Sequence, residues 1–254
     1  MTPGMAGVPR AAVDRARRLL GEAEHVVVLT GAGVSAESGV PTFRDAQTGL
    51  WAQFDPQKLA TPAAFRRNPK LVWDWYAWRR KLVAKAEPNA GHRALAVLEG
   101  RVSDFALITQ NVDGLHRRAG SRNVVELHGN IGRVKCSREN TIVEHWTEVG
   151  DEVPRCAGCG ALLRPDVVWF EETLPPDALQ AAEDAARRCQ ILLVVGTSAE
   201  VYPAAALPAY AKSAGATIVE INPNPTPLSD AADYVLRAPA GAVLPALVAA
   251  AWPV

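Results

Sequence analysis

Short apolar runs recur along the chain, and their length is typical of strands rather than helices. Within each run most consecutive positions are apolar, which predicts strands buried on both faces of a parallel sheet. The runs are HVVVLT at 25–30, DFALIT at 104–109, NVVEL at 123–127, ILLVV at 191–195 and ATIVEI at 216–221. Helical periodicity at 11–23, 92–99 and 177–188 separates most of them. This alternation predicts an α/β fold with a doubly wound parallel sheet.

Two stretches interrupt the alternation, a helical region at about 45–91 and a cysteine-bearing, strand-poor region at about 133–165. The first contains VWDWYAWRRK at 72–81, where a helix places Arg79 on an apolar stripe. The apolar members of that stripe are Val72, Trp75, Tyr76, Leu82 and Val83. Because an unpaired buried charge is costly, Arg79 either reaches water, pairs with an internal acid or binds the anion of a ligand.

Small and polar residues follow every predicted strand. TGAGVSAESG follows the first, QNVDGLH the second, HGN the third, GTSAE the fourth and NPNP the fifth. Ligands of open α/β sheets bind across the carboxyl ends of the strands, so these ends predict one site along that edge. Ordinary turns share this composition and remain the alternative.

Charge and composition exclude several classes of function. The 254 residues include 27 basic and 27 acidic side chains, so no net field favours nucleic acid or an anionic membrane. No apolar run approaches 18 residues, and the first ten residues lack the layout of a signal peptide. We therefore expect a cytoplasmic protein without a nucleic-acid or membrane partner. The sequence leaves the oligomeric state open, with a monomer favoured.

The loop after the first strand has the spacing of a diphosphate-binding turn. Gly31, Gly33 and Ala36 follow G-x-G-x-x-G/A, and small residues allow backbone N–H groups to approach a dinucleotide. A dehydrogenase would place an acid at a strand end about 20 residues further on. Asp55 has that distance but not that position, and Pro41 stops any helix early. The pattern predicts a dinucleotide bound in an unusual manner, and the Lys-Ser/Thr pair of a P-loop is missing.

Polar side chains capable of acid–base work lie at the next strand ends. They are Gln110, Asn111, Asp113, His116 and His128. An imidazole at such a position is suited to general-base catalysis near neutral pH, and His128 is our candidate. The remaining histidines are interpreted as structural: His25, His92, His116 and His145.

Three cysteines and one acid have the spacing of a zinc ribbon, as Cys136, Glu139, Cys156 and Cys159 form C-x2-E-x16-C-x2-C. Two tight turns of this kind present four ligands tetrahedrally, and any zinc here would be structural. The alternatives are a fourth ligand among Glu144, His145 and Glu148, or a metal-free site. Cys189 precedes a predicted strand and is expected in the core.

Taken together, these motifs resemble the sirtuins, the NAD-dependent protein-lysine deacylases. GAGVSAESGVPTFR, TQNVDGLH, LHG, VVWF, GTS and INPNP occur in the order and spacing of that family over about 20–245. The resemblance implies a Rossmann-type NAD domain with a peptide cleft, and a smaller domain made of two insertions. It divides this single catalytic unit into NAD-binding segments at 20–44, 92–132 and 166–254, a helical insertion at 45–91 and a zinc-ribbon-like insertion at 133–165.

The resemblance also implies roles for individual residues. His128 would be the general base, Asn111 would order the ribose and a water, and Asp113 would hold the nicotinamide carboxamide. The NAD pocket would further include Gly31, Ala32, Gly33, Ala36, Phe43, Arg44, Gln110, Gly196, Thr197, Ser198, Asn222 and Ala240. The substrate backbone would pair with Val167, Val168, Trp169 and Phe170 as an added strand.

The Y-x-x-R spacing of Tyr76 and Arg79 resembles the sirtuin branch, bacterial and mitochondrial, that removes succinyl, malonyl and glutaryl groups. These two side chains would grip the distal carboxylate of an acidic acyl chain, with Ala60 leaving room for it. Two positions depart from the family pattern. Glu171 replaces the usual glycine after VVWF, and Glu139 replaces a cysteine of the zinc set.

These expectations identify an NAD-dependent protein-lysine deacylase that prefers succinyl-lysine and malonyl-lysine and acts more weakly on acetyl-lysine. NAD is its expected co-substrate, Zn²⁺ its expected structural metal, and acylated-lysine proteins its expected substrates. Two alternatives remain, a protein mono-ADP-ribosyltransferase on the same fold and a non-catalytic NAD-sensing module.

Overall fold

The computed structural model describes residues 10–41, 55–147 and 152–252. The helices are α1 (Arg10–Glu22), α2 (Gly33–Ala36), α3 (Pro56–Leu59), α4 (Pro62–Arg67), α5 (Pro69–Lys85), α6 (Ala90–Glu99), α7 (Leu115–Arg118), α8 (Pro176–Arg188), α9 (Leu207–Ser213) and α10 (Ala240–Ala251). The strands are β1 (His25–Thr30), β2 (Asp104–Thr109), β3 (Val124–Glu126), β4 (Gly129–Cys136), β5 (Leu163–Val167), β6 (Ile191–Val195), β7 (Thr217–Ile221) and β8 (Tyr234–Leu236). Among the described helices, none has the length and apolar character needed to cross a bilayer.

The main sheet is parallel throughout, with the strand order β3-β2-β1-β6-β7-β8. The chain first builds outward from β1 to β3 and later returns to add β6 on the other side of β1. The order therefore reverses between β1 and β6, and this is where doubly wound folds bind their ligands. The predicted fold class is confirmed.

Both faces of this sheet are buried, which explains the continuous apolar runs. In β1, Val26 and Val28 belong to a core shared with α1, α6 and α10, because alternate strand residues point to opposite faces. Val27 and Leu29 belong to a second core, shared with α8 and α9. Helices on both faces and a parallel sheet between them form the doubly wound architecture.

A smaller unit packs beside the sheet. Here β4 and β5 pair antiparallel, and the side chains of α4 and α5 form an apolar cluster with Ile131, Val167 and Trp169. A second cluster joins Trp73 of α5 to the cysteine-bearing segment. The segment predicted as strand-poor thus begins and ends in strands, and the predicted boundaries at 132/133 and 165/166 fall inside β4 and β5.

Candidate active site

A cavity of about 530 Å³ opens at the carboxyl ends of β1, β2 and β6. It brings together most of the residues predicted to bind NAD or substrate. From the predicted sets, its walls include Gly31, Ala32, Gly33, Ala60, Tyr76, Arg79, Gln110, Asn111, Asp113, His128, Val167, Val168, Trp169, Phe170, Gly196, Thr197 and Ser198. Phe43 and Arg44 lie outside the described residues.

The glycine-containing loops that follow β1 and β6 contact each other at the carboxyl ends of these strands. The N–H of Gly33 donates to the carbonyl of Gly196 at 2.8 Å, and a Cβ added to Gly33 would lie 2.8 Å from that same oxygen. Gly196 also has φ of +59°, a left-handed conformation that favours glycine. These contacts form a narrow wall of small residues, at which little side-chain bulk separates a ligand from the backbone.

The helix that follows this loop is short, as predicted, but Pro41 does not end it. It stops at Ala36, and the chain turns through Gly39 at φ of +75°. The first loop therefore leads away from the sheet, instead of starting the long crossover helix of a dehydrogenase.

Three predicted cofactor residues do not line the cavity. Ala36 is exposed at the end of α2, and Ala240 is buried at the start of α10. Asn222 follows β7, where its side-chain amide donates to the carbonyl of Thr197 at 2.9 Å. Gln110 donates to the Thr197 hydroxyl, also at 2.9 Å. The observed contact of Asn222 is thus with the loop of Thr197.

A buried polar cluster lines the cavity with Ser35, Asn111 and Asp113 and is backed by His92. The hydroxyl of Ser35 donates to Asp113 at 2.8 Å and accepts from the amide of Asn111 at 3.1 Å. His92 Nδ1 accepts from the N–H of Asn89 at 3.3 Å, so its Nε2 carries the proton of the neutral ring and faces Ser35 at 3.4 Å. Burial raises the pKa of Asp113 and lowers that of His92 to about 4. Ser35 was missed from the sequence, where a polar residue inside a glycine-rich loop was its signal.

His128 is held in the tautomer that a general base requires. Its Nδ1 lies 2.9 Å from the carbonyl oxygen of Gln110, which can only accept, so Nδ1 carries the proton. The lone pair of the neutral ring is then on Nε2. Burial lowers the pKa of His128 below its ordinary value, against the raising effect of the Gln110 hydrogen bond. The ring is therefore neutral and basic at neutral pH.

Helix α5 brings a phenol and a guanidinium to the same cavity. Tyr76 is only 1% exposed, and burial raises its pKa to about 12, so the hydroxyl keeps its proton. The guanidinium carbon of Arg79 lies 5.0 Å from the centre of the Trp75 ring. Burial lowers the pKa of Arg79, and nearby Tyr76 raises it. Arginine remains protonated in proteins, so this helix presents a positive charge beside a neutral donor.

The segment after β5 has its N–H groups occupied within the chain. The N–H of Val168 donates to the carbonyl of His128, and that of Phe170 donates to the carbonyl of Ala60, both at 2.9 Å. The N–H of Trp169 donates to the carboxylate of Glu172 at 2.8 Å. Glu171 follows at φ of +72°, which explains why glycine suits this position.

The predicted metal ligands converge in the smaller unit. The ligand atoms of Cys136, Glu139, Cys156 and Cys159 all lie within 4.8 Å of one another. Cys136 Sγ and Cys159 Sγ are 3.4 Å apart, which suits two thiolates on one tetrahedral ion. The donor set fits a structural zinc held by three sulfurs and one carboxylate. Among the alternative ligands, Glu148 lies outside the described residues.

Residues 31–203 match the model of the Sir2 family. An NAD-dependent protein deacylase of Ralstonia nicotianae is 55% identical over 239 residues, covering 94% of this chain and 97% of the relative. A solved Sir2 homolog–NAD complex is 49% identical, with a TM-score of 0.87, covering 94% of this chain and 93% of that one. A solved Sir2 bound to acetylated peptide is 34% identical, with a TM-score of 0.82, covering 91% and 95%.

Proposed function

The chain belongs to the Sir2 family, and from that premise we propose an NAD-dependent protein-lysine deacylase that prefers succinyl-lysine and malonyl-lysine to acetyl-lysine. Deacylation with NAD as co-substrate is the activity for which its 55% identical relative is named. The acyl preference rests on one observation: Tyr76 and Arg79 line the same cavity as His128. Acylated-lysine proteins are the proposed substrates, as in the solved complex of a Sir2 with acetylated peptide.

We assign the dinucleotide to the carboxyl ends of β1 and β6. Gly31, Ala32 and Gly33 pack against the loop that carries Thr197 and Ser198, and the diphosphate would lie against the wall that these small residues form together. Gln110 and Asn222 support this wall through their hydrogen bonds to Thr197. Ala36 and Ala240 would meet NAD only beyond the cavity.

The proposed chemistry uses three side chains. When bound, NAD supplies the ribose carbon C1′ that the acyl oxygen attacks as nicotinamide leaves. His128 accepts the proton of a ribose hydroxyl at Nε2, because its Nδ1 proton is held by Gln110. Asn111 orders the ribose and a water, and Asp113 binds the nicotinamide carboxamide. Overall, one water is consumed, the amide bond to lysine and the bond between nicotinamide and ribose are broken, and the products are nicotinamide, the free lysine and 2′-O-acyl-ADP-ribose.

The distal carboxylate of a succinyl or malonyl group would be held by Arg79 and Tyr76, with the acyl stem passing Ala60. Charge-assisted hydrogen bonds in a site shielded from water are strong. A site built for such contacts rejects an acyl group that lacks them, here by about 2–4 kcal/mol against acetyl. The cavity provides this shielding, since Tyr76 and Ala60 are both buried.

The substrate backbone is proposed to lie along residues 167–170 as an added strand. Because the N–H groups of Val168, Trp169 and Phe170 are already bonded, the peptide would pair mainly with carbonyl oxygens of this segment. Glu171 lines the same cavity and adds a negative charge near its mouth.

One experiment tests the acyl preference. The kcat/KM values for acetyl, succinyl and malonyl forms of one peptide are compared in the wild type, Arg79→Met and Arg80→Met. Arg80 is the matched control, because it is the next residue of α5 but lies over the Trp73 ring and lines a different cavity. We expect Arg79→Met to lose desuccinylation and demalonylation at least tenfold while deacetylation stays within threefold. Full desuccinylase activity in Arg79→Met would refute the carboxylate clamp.

The same reactions separate the two alternatives. A mono-ADP-ribosyltransferase would transfer the label of adenine-labelled NAD to protein without freeing lysine. An NAD-sensing module would bind NAD without releasing nicotinamide. Either result would replace the deacylase assignment.

We propose zinc as a structural ion of the smaller unit, held by Cys136, Glu139, Cys156 and Cys159. The carboxylate of Glu139 is the unusual ligand, so Glu139→Cys should hold zinc more tightly in competition with a chelator. Equal zinc affinity in the two proteins would exclude Glu139 as a ligand. The insertion boundaries at 45–91 and 133–165, a cytoplasmic location and a monomeric state stay predictions.

A further inference from the structure

The indole of Trp169 connects the peptide segment to α5. Its Nε1–H donates to the hydroxyl oxygen of Tyr76 at 3.0 Å. Both side chains are almost fully buried, Trp169 at 3% and Tyr76 at 1% exposure, and both line the cavity. A hydrogen bond in such a position is shielded from competing water and fixes the two rings relative to each other.

The direction of this hydrogen bond is settled by chemistry. An indole N–H donates and cannot accept, so the Tyr76 oxygen must be the acceptor. The phenol has one proton of its own, which then points away from Trp169. That proton is retained at working pH because burial raises the pKa of Tyr76 to about 12. Tyr76 is therefore a pre-oriented donor.

The indole of Trp169 is itself held in place by contacts with its neighbours. The guanidinium carbon of Arg164 lies 3.3 Å from the centre of the Trp169 ring, and Phe65 lies 5.3 Å away, centre to centre. Arg164 pairs with both oxygens of Glu172, at 2.5 and 2.8 Å. Glu172 in turn accepts the backbone N–H of Trp169. Ring and backbone of Trp169 are thus fixed by one ion pair, and its N–H has one available direction.

We propose that Trp169 is a positioning residue for acyl selection, whose indole N–H turns the Tyr76 hydroxyl toward the distal carboxylate of an acidic acyl group. The inference rests on the proposed function, because it assigns Tyr76 the carboxylate as acceptor. An acetyl group has no such acceptor. Loss of the indole N–H therefore affects acidic acyl groups selectively.

The test measures kcat and KM for succinyl and acetyl forms of one peptide in Trp169→Phe, Tyr76→Phe and the double variant. We expect Trp169→Phe to raise KM for the succinyl peptide about five- to tenfold more than it raises KM for the acetyl peptide, whereas its effect on kcat should be the same for both peptides. In the Tyr76→Phe background, Trp169→Phe should have no further effect, because the residue acts through Tyr76. Trp73→Phe is the matched control, since this buried indole faces the cysteine-bearing segment, and the succinyl/acetyl ratio should not change.

A second arm avoids any packing change. It replaces the Trp169 indole by its isosteric benzothiophene analogue, which keeps the ring system and removes only the N–H, and it should reproduce the selective rise in KM. Equal losses for both peptides, or an effect that persists without the Tyr76 hydroxyl, would overturn the inference. If the wild type and Arg79→Met show no difference in succinyl preference, the proposed function fails as well. If Arg79→Met loses the preference but the Trp169 variants keep it, only this inference fails.

Discussion

The residue whose local geometry is most informative is His128, because one hydrogen bond assigns both of its nitrogens. We expect His128→Tyr to lower kcat by about 10²–10⁴, the usual contribution of a general base. Because burial lowers the pKa of His128, the ring stays neutral as the pH falls below 6.5, the ordinary pKa of histidine. The fall of kcat/KM on the acidic side should therefore occur below pH 6.5. Normal turnover in His128→Tyr, or an acidic limb above pH 6.5, would refute the assignment. His25→Gln, at the far end of β1, is the control and should keep wild-type rates.

Glu171 shows a departure from the family pattern that has a physical cost. Its φ of +72° is strained for a residue with a Cβ, by about 1–2 kcal/mol, whereas glycine adopts it freely. Glycine relieves this strain, but it also increases the conformational entropy of the unfolded chain, which offsets part of the gain. Glu171→Gly should therefore raise the free energy of unfolding by about 0.5–1 kcal/mol, measured with denaturant. Glu172→Gly should destabilise it, since that carboxylate bonds Arg164 and Trp169. A destabilising Glu171→Gly would show that the side chain makes a contact worth more than the strain.

Sequence patterns predicted single residues only where spacing carries the signal. Periodicity placed the charged Arg79 on an apolar stripe of α5. It could not decide whether this side chain reaches water, pairs with an internal acid or binds the anion of a ligand. The hydrogen bond from Trp169 to Tyr76 joins residues 93 positions apart, and no local pattern encodes it. The roles of the site residues stay predictions that the kinetic experiments address.

At the scale of elements, a continuous apolar run was sufficient to predict a strand, and the strands that lack such a run were missed. All five predicted strands are present, because burial on both faces requires continuous apolar sequence. Strand β8 was missed because its three residues stand between Asp233 and Arg237, whereas the equally short β3 lies in the longer run NVVEL. The β4–β5 pair was missed because glycine, proline and charges interrupt both strands and only part of each is buried.

The contact between the two glycine loops makes an element-scale prediction. A Cβ on Gly196 would lie 2.5 Å from the backbone nitrogen of Val34, and its φ is left-handed. Gly196→Ala should therefore lower the free energy of unfolding by about 2–4 kcal/mol and raise KM for NAD. Gly100→Ala is the control, because its Cβ would meet nothing closer than 3.5 Å, and stability should stay within about 0.5 kcal/mol. Equal stability of the two variants would contradict the interlocked loops.

At the scale of the whole molecule, two buried histidines should make stability depend on pH. Burial lowers the pKa of His92 to about 4 and that of His116 to about 3, so both stay neutral in the folded protein at pH 5. In the unfolded chain they bind protons below about 6.5, so stability is complete above that pH and is lost as the pH falls. Each of the two histidines should lower the free energy of unfolding by about 2 kcal/mol when the pH falls from 7 to 5.

The effect of His116 is measured by chemical unfolding at both pH values. His116→Gln should reduce the loss of stability between pH 7 and pH 5 by about 2 kcal/mol. The control is His25→Gln, at a half-exposed surface position, and this variant should still show the loss that His116 causes. An unchanged pH dependence in His116→Gln would show that His116 already binds a proton in the folded protein.

The fold, the cavity and the family all support NAD-dependent deacylation, and the central prediction concerns which acyl group the protein removes preferentially. One measurement tests it most directly: equal concentrations of succinyl and acetyl forms of one peptide compete for the wild-type enzyme with NAD, and mass spectrometry quantifies the two ADP-ribose esters. The ratio of esters reports the ratio of kcat/KM values. We predict that succinyl-ADP-ribose exceeds the acetyl ester at least tenfold. An excess of acetyl-ADP-ribose would contradict the account.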